Sequence, residues 1–152
     1  METLERIIAE HPFFADLDPG FTELMVGCAS NVRFKKGDYI FREGDPANTF
    51  YLVREGKVSV EIFAPQRPPI IVATLAEGEI LGWSWLLAPY QWKHQARATE
   101  NVRAIALDGK CLRNKCEENH DLGYEILKRF ARIIEQRLES TRLQLIDVYA
   151  VG

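Results

Sequence analysis

The segment GEILGWSWLLAPYQWKHQARA, Gly78 to Ala98, gathers the side chains of this chain best suited to chemistry. It holds all three tryptophans, Trp83, Trp85 and Trp92, together with Ser84, Leu86, Tyr90, Lys93, His94 and Arg97. Indoles supply apolar faces and one N–H donor each, while Lys93, His94 and Arg97 supply positive charge. Such a set suits the holding of a ligand better than the breaking of a bond. Catalysis finds little elsewhere. The three histidines are His11, His94 and His120, and only His94 lies outside the flanks. A metal-dependent enzyme built in a barrel wants clustered histidines and a carboxylate, so no metal site is expected. No Ser–His–Asp order, nucleophile elbow or phosphate-cradling glycine loop is present. Cys28, Cys111 and Cys116 are odd in number and match no common zinc spacing, so they read as ordinary reduced thiols.

The elements that must position this loop follow from periodicity. Thr3 to Glu10 reads as a short helix with Leu4, Ile7 and Ile8 on one face, stopping at Pro12. Asp18–Pro19 is an N-cap followed by proline at the first helical position, which opens a second helix running to about Ala29. From Val32 to Leu107 the texture becomes about eight short β-rich runs separated by glycine- and proline-containing turns, the pattern of a sandwich or jelly roll. After Asp108–Gly109 the helical period returns, first from about Lys110 to Glu118, then from Asp121 to Tyr149. The whole reads as a single domain over residues 1–152, with helices in 3–29, a β-roll in 32–107 and helices in 110–149.

Along the last helix, Phe130, Ile134, Leu138, Thr141, Leu145 and Val148 form a nearly heptad stripe, widened by Ile126, Ile133 and Leu143. About 28 residues of helix extend ~42 Å, longer than a small barrel is wide. Part of the helix must overhang, and a two-fold copy of itself is the simplest partner for the stripe.

Composition bounds the function. The 152 residues are 47% apolar and 27% charged, with a net charge of -3. That suits one globular domain with no general attraction to nucleic acid or anionic membrane. No apolar run approaches the roughly 20 residues of a membrane span, and METLERIIAEHPFF lacks the order of a signal peptide. A cytoplasmic location is therefore expected.

The segment KKGDYIFREGDPANTFYLVREGKVSVEIF, Lys35 to Phe63, resembles the opening of cyclic nucleotide-binding domains of the Crp-Fnr class. Gly37–Asp38, Ile40–Phe41, Glu43–Gly44–Asp45, Tyr51–Leu52–Val53 and Gly56–Lys57–Val58 carry the likeness. The resemblance implies a mainly β fold: a cyclic-nucleotide-binding-type β-roll, or double-stranded β-helix jelly roll, with N-terminal helices and a long C-terminal dimerisation helix. It also implies a ligand pocket between roll and helix. In that family a loop glycine is followed by an acid that takes the ribose, and an arginine with a small residue takes the cyclic phosphate. Here Gly82 stands at the glycine, Trp83 at the acid, Trp92 at the arginine and Lys93 beside it. Both charged anchors are absent from this alignment, although Lys93 or His94 offers point charges.

Each lost charged hydrogen bond is worth ~1.5 to 3 kcal/mol, so cyclic AMP is expected to bind poorly or not at all. Three readings of the loop stay open: tryptophans that fill the old pocket, an apolar cavity for a planar or uncharged ligand, or a nucleotide site working through Lys93. Ser140 and Thr141 lie near where the family's helix hydroxyl reaches the base. Arg97 reads as a strand residue in an ion pair, and Glu79 as a turn carboxylate. The family's iron–sulfur branch wants four thiolates where this chain has three. Its transcription factors carry a helix–turn–helix after the long helix, so DNA recognition by this chain alone is not expected. Arg129, Arg132, Arg137 and Arg142 read as pairing with Glu125, Glu135 and Glu139 along the helix. The expected function is a Crp-Fnr-like sensory or regulatory domain with an altered pocket, homodimeric and acting on an unknown protein partner. A ligand-free adaptor subunit is the alternative.

Overall fold

The computed structural model describes residues 3–150. Positions 1, 2, 151 and 152 of the expected domain lie outside the described residues. Helix α1 (Leu4–Glu10) is capped by Thr3, whose hydroxyl accepts from Arg6 N. A 3₁₀ turn at Pro12–Phe14 follows, then α2 (Pro19–Val26), capped by the Asp18 carboxylate. The second helix ends short of the expected Ala29. Gly27 caps it, and Ala29 instead pairs with Leu107 as the first rung of β1.

Eight strands follow: β1 (Ala29–Phe34), β2 (Tyr39–Phe41), β3 (Thr49–Glu55), β4 (Val58–Ile62), β5 (Ile70–Leu75), β6 (Ile80–Leu81), β7 (Gln95–Ala98) and β8 (Val102–Asp108). They form two antiparallel four-stranded sheets, ordered β1-β8-β3-β6 and β2-β7-β4-β5. Asp108 then caps α3 (Gly109–Glu118), accepting from Cys111 N, and α4 runs from His120 to Ala150. The family-type β-roll with flanking helices is the fold of this chain.

The apolar residues condense into two clusters. Inside the roll lie Phe41, Val53, Val58, Leu81, Trp92 and Val102. Between the roll and the helices lie Ile8, Phe14, Phe50, Trp85, Ile126 and Phe130. The loop from Gly82 to Lys93 joins them, and its tryptophans divide between the two.

Helix α4 has 31 residues and spans about 46 Å. Its first half is packed, with Leu122, Ile126 and Phe130 fully buried. Beyond that it overhangs, and Leu138, Leu145 and Val148 are 61%, 56% and 70% exposed. Phe130, expected at the head of the dimer stripe, is corrected here. Its ring packs edge-on against Phe13, Phe50 and Trp85 and is unavailable to a second copy. The exposed heptad face runs instead through Tyr124, Leu127, Leu138, Thr141, Leu145 and Val148, with Ile134 half-buried.

Candidate functional site

The loop is held at both ends. Its far limb is pinned to the Glu43–Gly44–Asp45 turn: Gly44 N donates to Trp92 O at 2.8 Å, and Trp92 N to Asp45 O at 3.0 Å. Ala47 N adds a bond to Tyr90 O at 2.7 Å. Tyr90 sits at φ 55, a left-handed backbone uncommon for a ring-bearing residue, and the Arg113 guanidinium lies 4.0 Å from its ring centroid. Arg113 also donates to Trp85 O, so one side chain ties α3 to the middle of the loop.

Gly82 shows why this position takes no side chain. Its φ is 97, and a Cβ there would meet Trp92 Cη2 at 2.5 Å and Cζ3 at 2.8 Å. Backbone conformation and space both exclude anything larger. Trp92 is 4% exposed, and its indole stacks on Phe41 at 3.6 Å between centroids, 7° from parallel. It lies on the roll side of the loop. Trp85 goes the other way, stacked on Phe50 at 4.8 Å and closed against Gly109 and Phe130. The four aromatics that one loop brings together in sequence therefore occupy different places, with Tyr90 on the outer surface.

Trp83 stays half-buried, packed against the cluster between the roll and the helices. Arg137 of α4 places its guanidinium 5.3 Å from the Trp83 ring and donates to Ile80 O at 2.7 Å. His94 stands 6.2 Å from Trp83 and 5.8 Å from Phe41. Burial pushes the His94 imidazole below its ordinary value, and the Arg137 charge adds to that effect. Burial likewise pulls the Arg137 guanidinium below its ordinary value, opposed by Glu79. Strand β6, loop and α4 thus meet at one cationic side chain. Sequence reasoning counted Arg137 with the surface pairs and missed it; its lack of an acid four residues away is the signal that was available.

The remaining sequence candidates are scattered. Ser84 and Leu86 are half-buried on the near limb, and Lys93 is exposed. The Thr141 hydroxyl donates to Arg137 O at 2.9 Å, so it turns back on its own helix. Arg97 is on β7 and meets Glu61 at 3.0 Å, the ion pair expected of it. Ser59, Gln95 and Arg97 all donate to the Glu61 carboxylate, whose side chain is 1% exposed. Burial alone would raise that carboxyl, but these hydrogen bonds and the Arg97 charge hold it below its ordinary value. Glu79 accepts from Ala76 N within its turn. Among the described residues no group of His, Cys, Asp and Glu could hold a metal, and no helix is long and apolar enough to cross a membrane.

The fold recurs among known proteins. The profile of the cyclic nucleotide-binding domain matches residues 31–119. The chain belongs to the cyclic nucleotide-binding domain family. This cyclic nucleotide-binding domain is similar to the CRP-like cAMP-activated global transcriptional regulator of Mycobacterium tuberculosis, 23% identical over 145 residues, which cover 95% of this chain and 63% of that protein. It is 34% identical over 145 residues to cGMP-dependent protein kinase 2 of Homo sapiens, covering 93% of this chain and 18% of the kinase. The chain spans less than two thirds of the length of these relatives. Among solved structures, a chain described as a cyclic nucleotide-binding protein from Geobacter metallireducens GS-15 superposes with a TM-score of 0.80 at 29% identity, covering 91% of this chain and 99% of that one.

Proposed function

We propose that this cyclic nucleotide-binding domain is a regulatory module whose loop does not take cyclic AMP, and that it works in the cytoplasm as a homodimer, on a protein partner rather than as an enzyme or on DNA. The observation that carries the reading is Trp92. In the family alignment it stands where an arginine would meet the cyclic phosphate, and its ring lies against Gly82 and Phe41. Trp83 stands where an acid would meet the ribose, and it faces Arg137. An apolar ring offers a phosphate no charge-assisted hydrogen bond, and its volume occupies space that a nucleotide would need.

Signal transmission has a physical route in this reading. Arg137 touches loop and β6 from the middle of α4, so any change in loop packing shifts the helix whose far half overhangs. The exposed stripe through Leu138, Leu145 and Val148 supports a second copy as its cover. The same stripe supports the alternative, an adaptor that answers to a partner and to no small molecule.

The test is isothermal titration of cyclic AMP into the wild type and into the Trp83→Glu, Trp92→Arg double variant. The reading expects no heat of binding from the wild type and saturable binding from the variant. Saturable binding by the wild type contradicts it.

A further inference from the structure

Cys28 and Cys111 are far apart in sequence, yet the fold brings them together. Cys28 lies between α2 and β1, and its backbone is tied to the end of β8: Asp108 N donates to Cys28 O at 2.8 Å, one step beyond the Ala29–Leu107 pair. Asp108 also caps α3, and its carboxylate accepts from Cys111 N at 3.0 Å. One aspartate thus fixes both backbones, and the Cys28 and Cys111 side chains meet beside it in a thiol–thiol hydrogen bond. Strand pairing on one side and a helix cap on the other hold this contact in place.

The two sulfurs differ in access. Cys28 is 7% exposed, whereas Cys111 is only half-buried. Burial pushes the Cys28 thiol up to about 12, helped by the hydrogen bond to Cys111 and opposed by the Lys115 charge, so Cys28 keeps its proton. Cys111 is therefore the sulfur that an oxidant reaches first, and it has a second sulfur directly behind it. Cys116 lies further along α3, beside Gly123 of α4, and serves as a comparison.

We infer that Cys28 and Cys111 form a reversible redox modification site, at which a hydroperoxide closes an internal disulfide between the start of β1 and the first turn of α3. The Cys111 thiolate attacks one peroxide oxygen. The O–O bond breaks, the sulfur becomes a sulfenic acid, and the other oxygen takes up a proton and leaves as water or an alcohol. The Cys28 sulfur then attacks the Cys111 sulfur: the S–S bond forms, the S–O bond breaks, and the hydroxyl leaves with the Cys28 proton as water. The two thiols lose two electrons and the peroxide gains them. Gly109 and Arg113, on either side of Cys111, both hold Trp85, Gly109 by contact and Arg113 by donating to its carbonyl. The new bond therefore forms where α3 meets the loop. The site is independent of the proposed function, since it requires neither a filled loop nor a dimer.

The test treats the reduced, folded protein with hydrogen peroxide, quenches it with iodoacetamide and maps the peptides by mass spectrometry, alongside Cys28→Ser, Cys111→Ser and Cys116→Ser. The wild type and Cys116→Ser are expected to lose two hydrogen atoms, to yield a linked peptide pair holding Cys28 and Cys111, and to recover both thiols in dithiothreitol. Cys28→Ser should stop at the sulfenic acid, which dimedone traps on Cys111. Cys111→Ser should leave Cys28 unmodified in the folded state. The peptide map of the wild type decides the matter if Cys28→Ser does not fold. No internal disulfide at millimolar peroxide, a bond to Cys116 instead, or a Cys28–Cys111 bond that forms only in denaturant overturns the inference, and each of these leaves the proposed function standing.

Discussion

Replacing Gly82 by alanine tests the packing of Trp92 most sharply. Two separate costs are expected. A left-handed backbone at φ 97 costs an alanine roughly 1–2 kcal/mol relative to glycine. The new methyl would also lie 2.5 Å from Trp92 Cη2 and 2.8 Å from Cζ3, well inside contact distance. Trp92 cannot yield easily, because its other face is stacked on Phe41 and its backbone is bonded on both sides to the Gly44–Asp45 turn. Overpacking of this kind costs about 1–3 kcal/mol. The single variant should therefore lose roughly 2–5 kcal/mol. In a Trp92→Leu background the ring is gone and only the backbone cost remains, so the double-mutant cycle should show a coupling of about 1–3 kcal/mol. Urea unfolding followed by far-ultraviolet circular dichroism is the assay, since tryptophan fluorescence changes with the substitution itself. If the two substitutions add without coupling, Trp92 does not rest on Gly82 and the reasoning about the loop fails.

Other outcomes are expected from the same geometry. Arg97→Ala should cost about 1–3 kcal/mol by stripping one partner from buried Glu61, seen as a lower urea midpoint. Because Glu61 is held below its ordinary value of 4.5, its contribution is present above that pH and is lost as pH falls through the folded-state value; the variant should show a shallower acid limb. His94 and His11 are both held below 6.5, mainly by burial. The unfolded chain takes up their protons first, so stability should be full above about pH 6.5 and decline below it, and His94→Gln should remove part of that slope in pH-dependent melting. Leu138→Glu with Leu145→Glu should turn a dimer into a monomer in sedimentation velocity, and an unchanged dimer would place the interface elsewhere. The Cys28 thiol is pushed up to about 12, chiefly by burial and then by Cys111, so iodoacetamide should label it only after unfolding.

Much of the fold was legible because it is written in local signals. Thr3 and Asp18–Pro19 cap the helices where their side chains suggest, and Gly37, Gly44 and Gly56 mark the turns of the roll with positive φ. That Arg97 sits on a strand in an ion pair, and the turn role of Glu79, were legible too, although the Arg97 partner, Glu61, lies on another strand and was not. What escaped depends on contacts made across the molecule. The end of α2 is decided by the pairing of Ala29 with Leu107, seventy-eight positions along, as the register shows. Trp85 and Trp92 look alike in sequence, yet one is drawn to Phe50 and Phe130 and the other to Phe41, a division no local pattern encodes. The exposed face of the last helix omits Phe130, because that residue is claimed by the domain's own core. Arg137 reads as one more surface cation until β6 and the loop close around it.

The account turns on whether the loop excludes cyclic nucleotides. Thermal unfolding of the wild-type protein with millimolar cyclic AMP, cyclic GMP or cyclic di-GMP tests this directly, since a ligand of the folded state at 100 times its Kd adds about 2.7 kcal/mol. No change in Tm is the result the account predicts. A clear rise with any of the three would contradict it, and would return the loop to the nucleotide through Lys93 or His94.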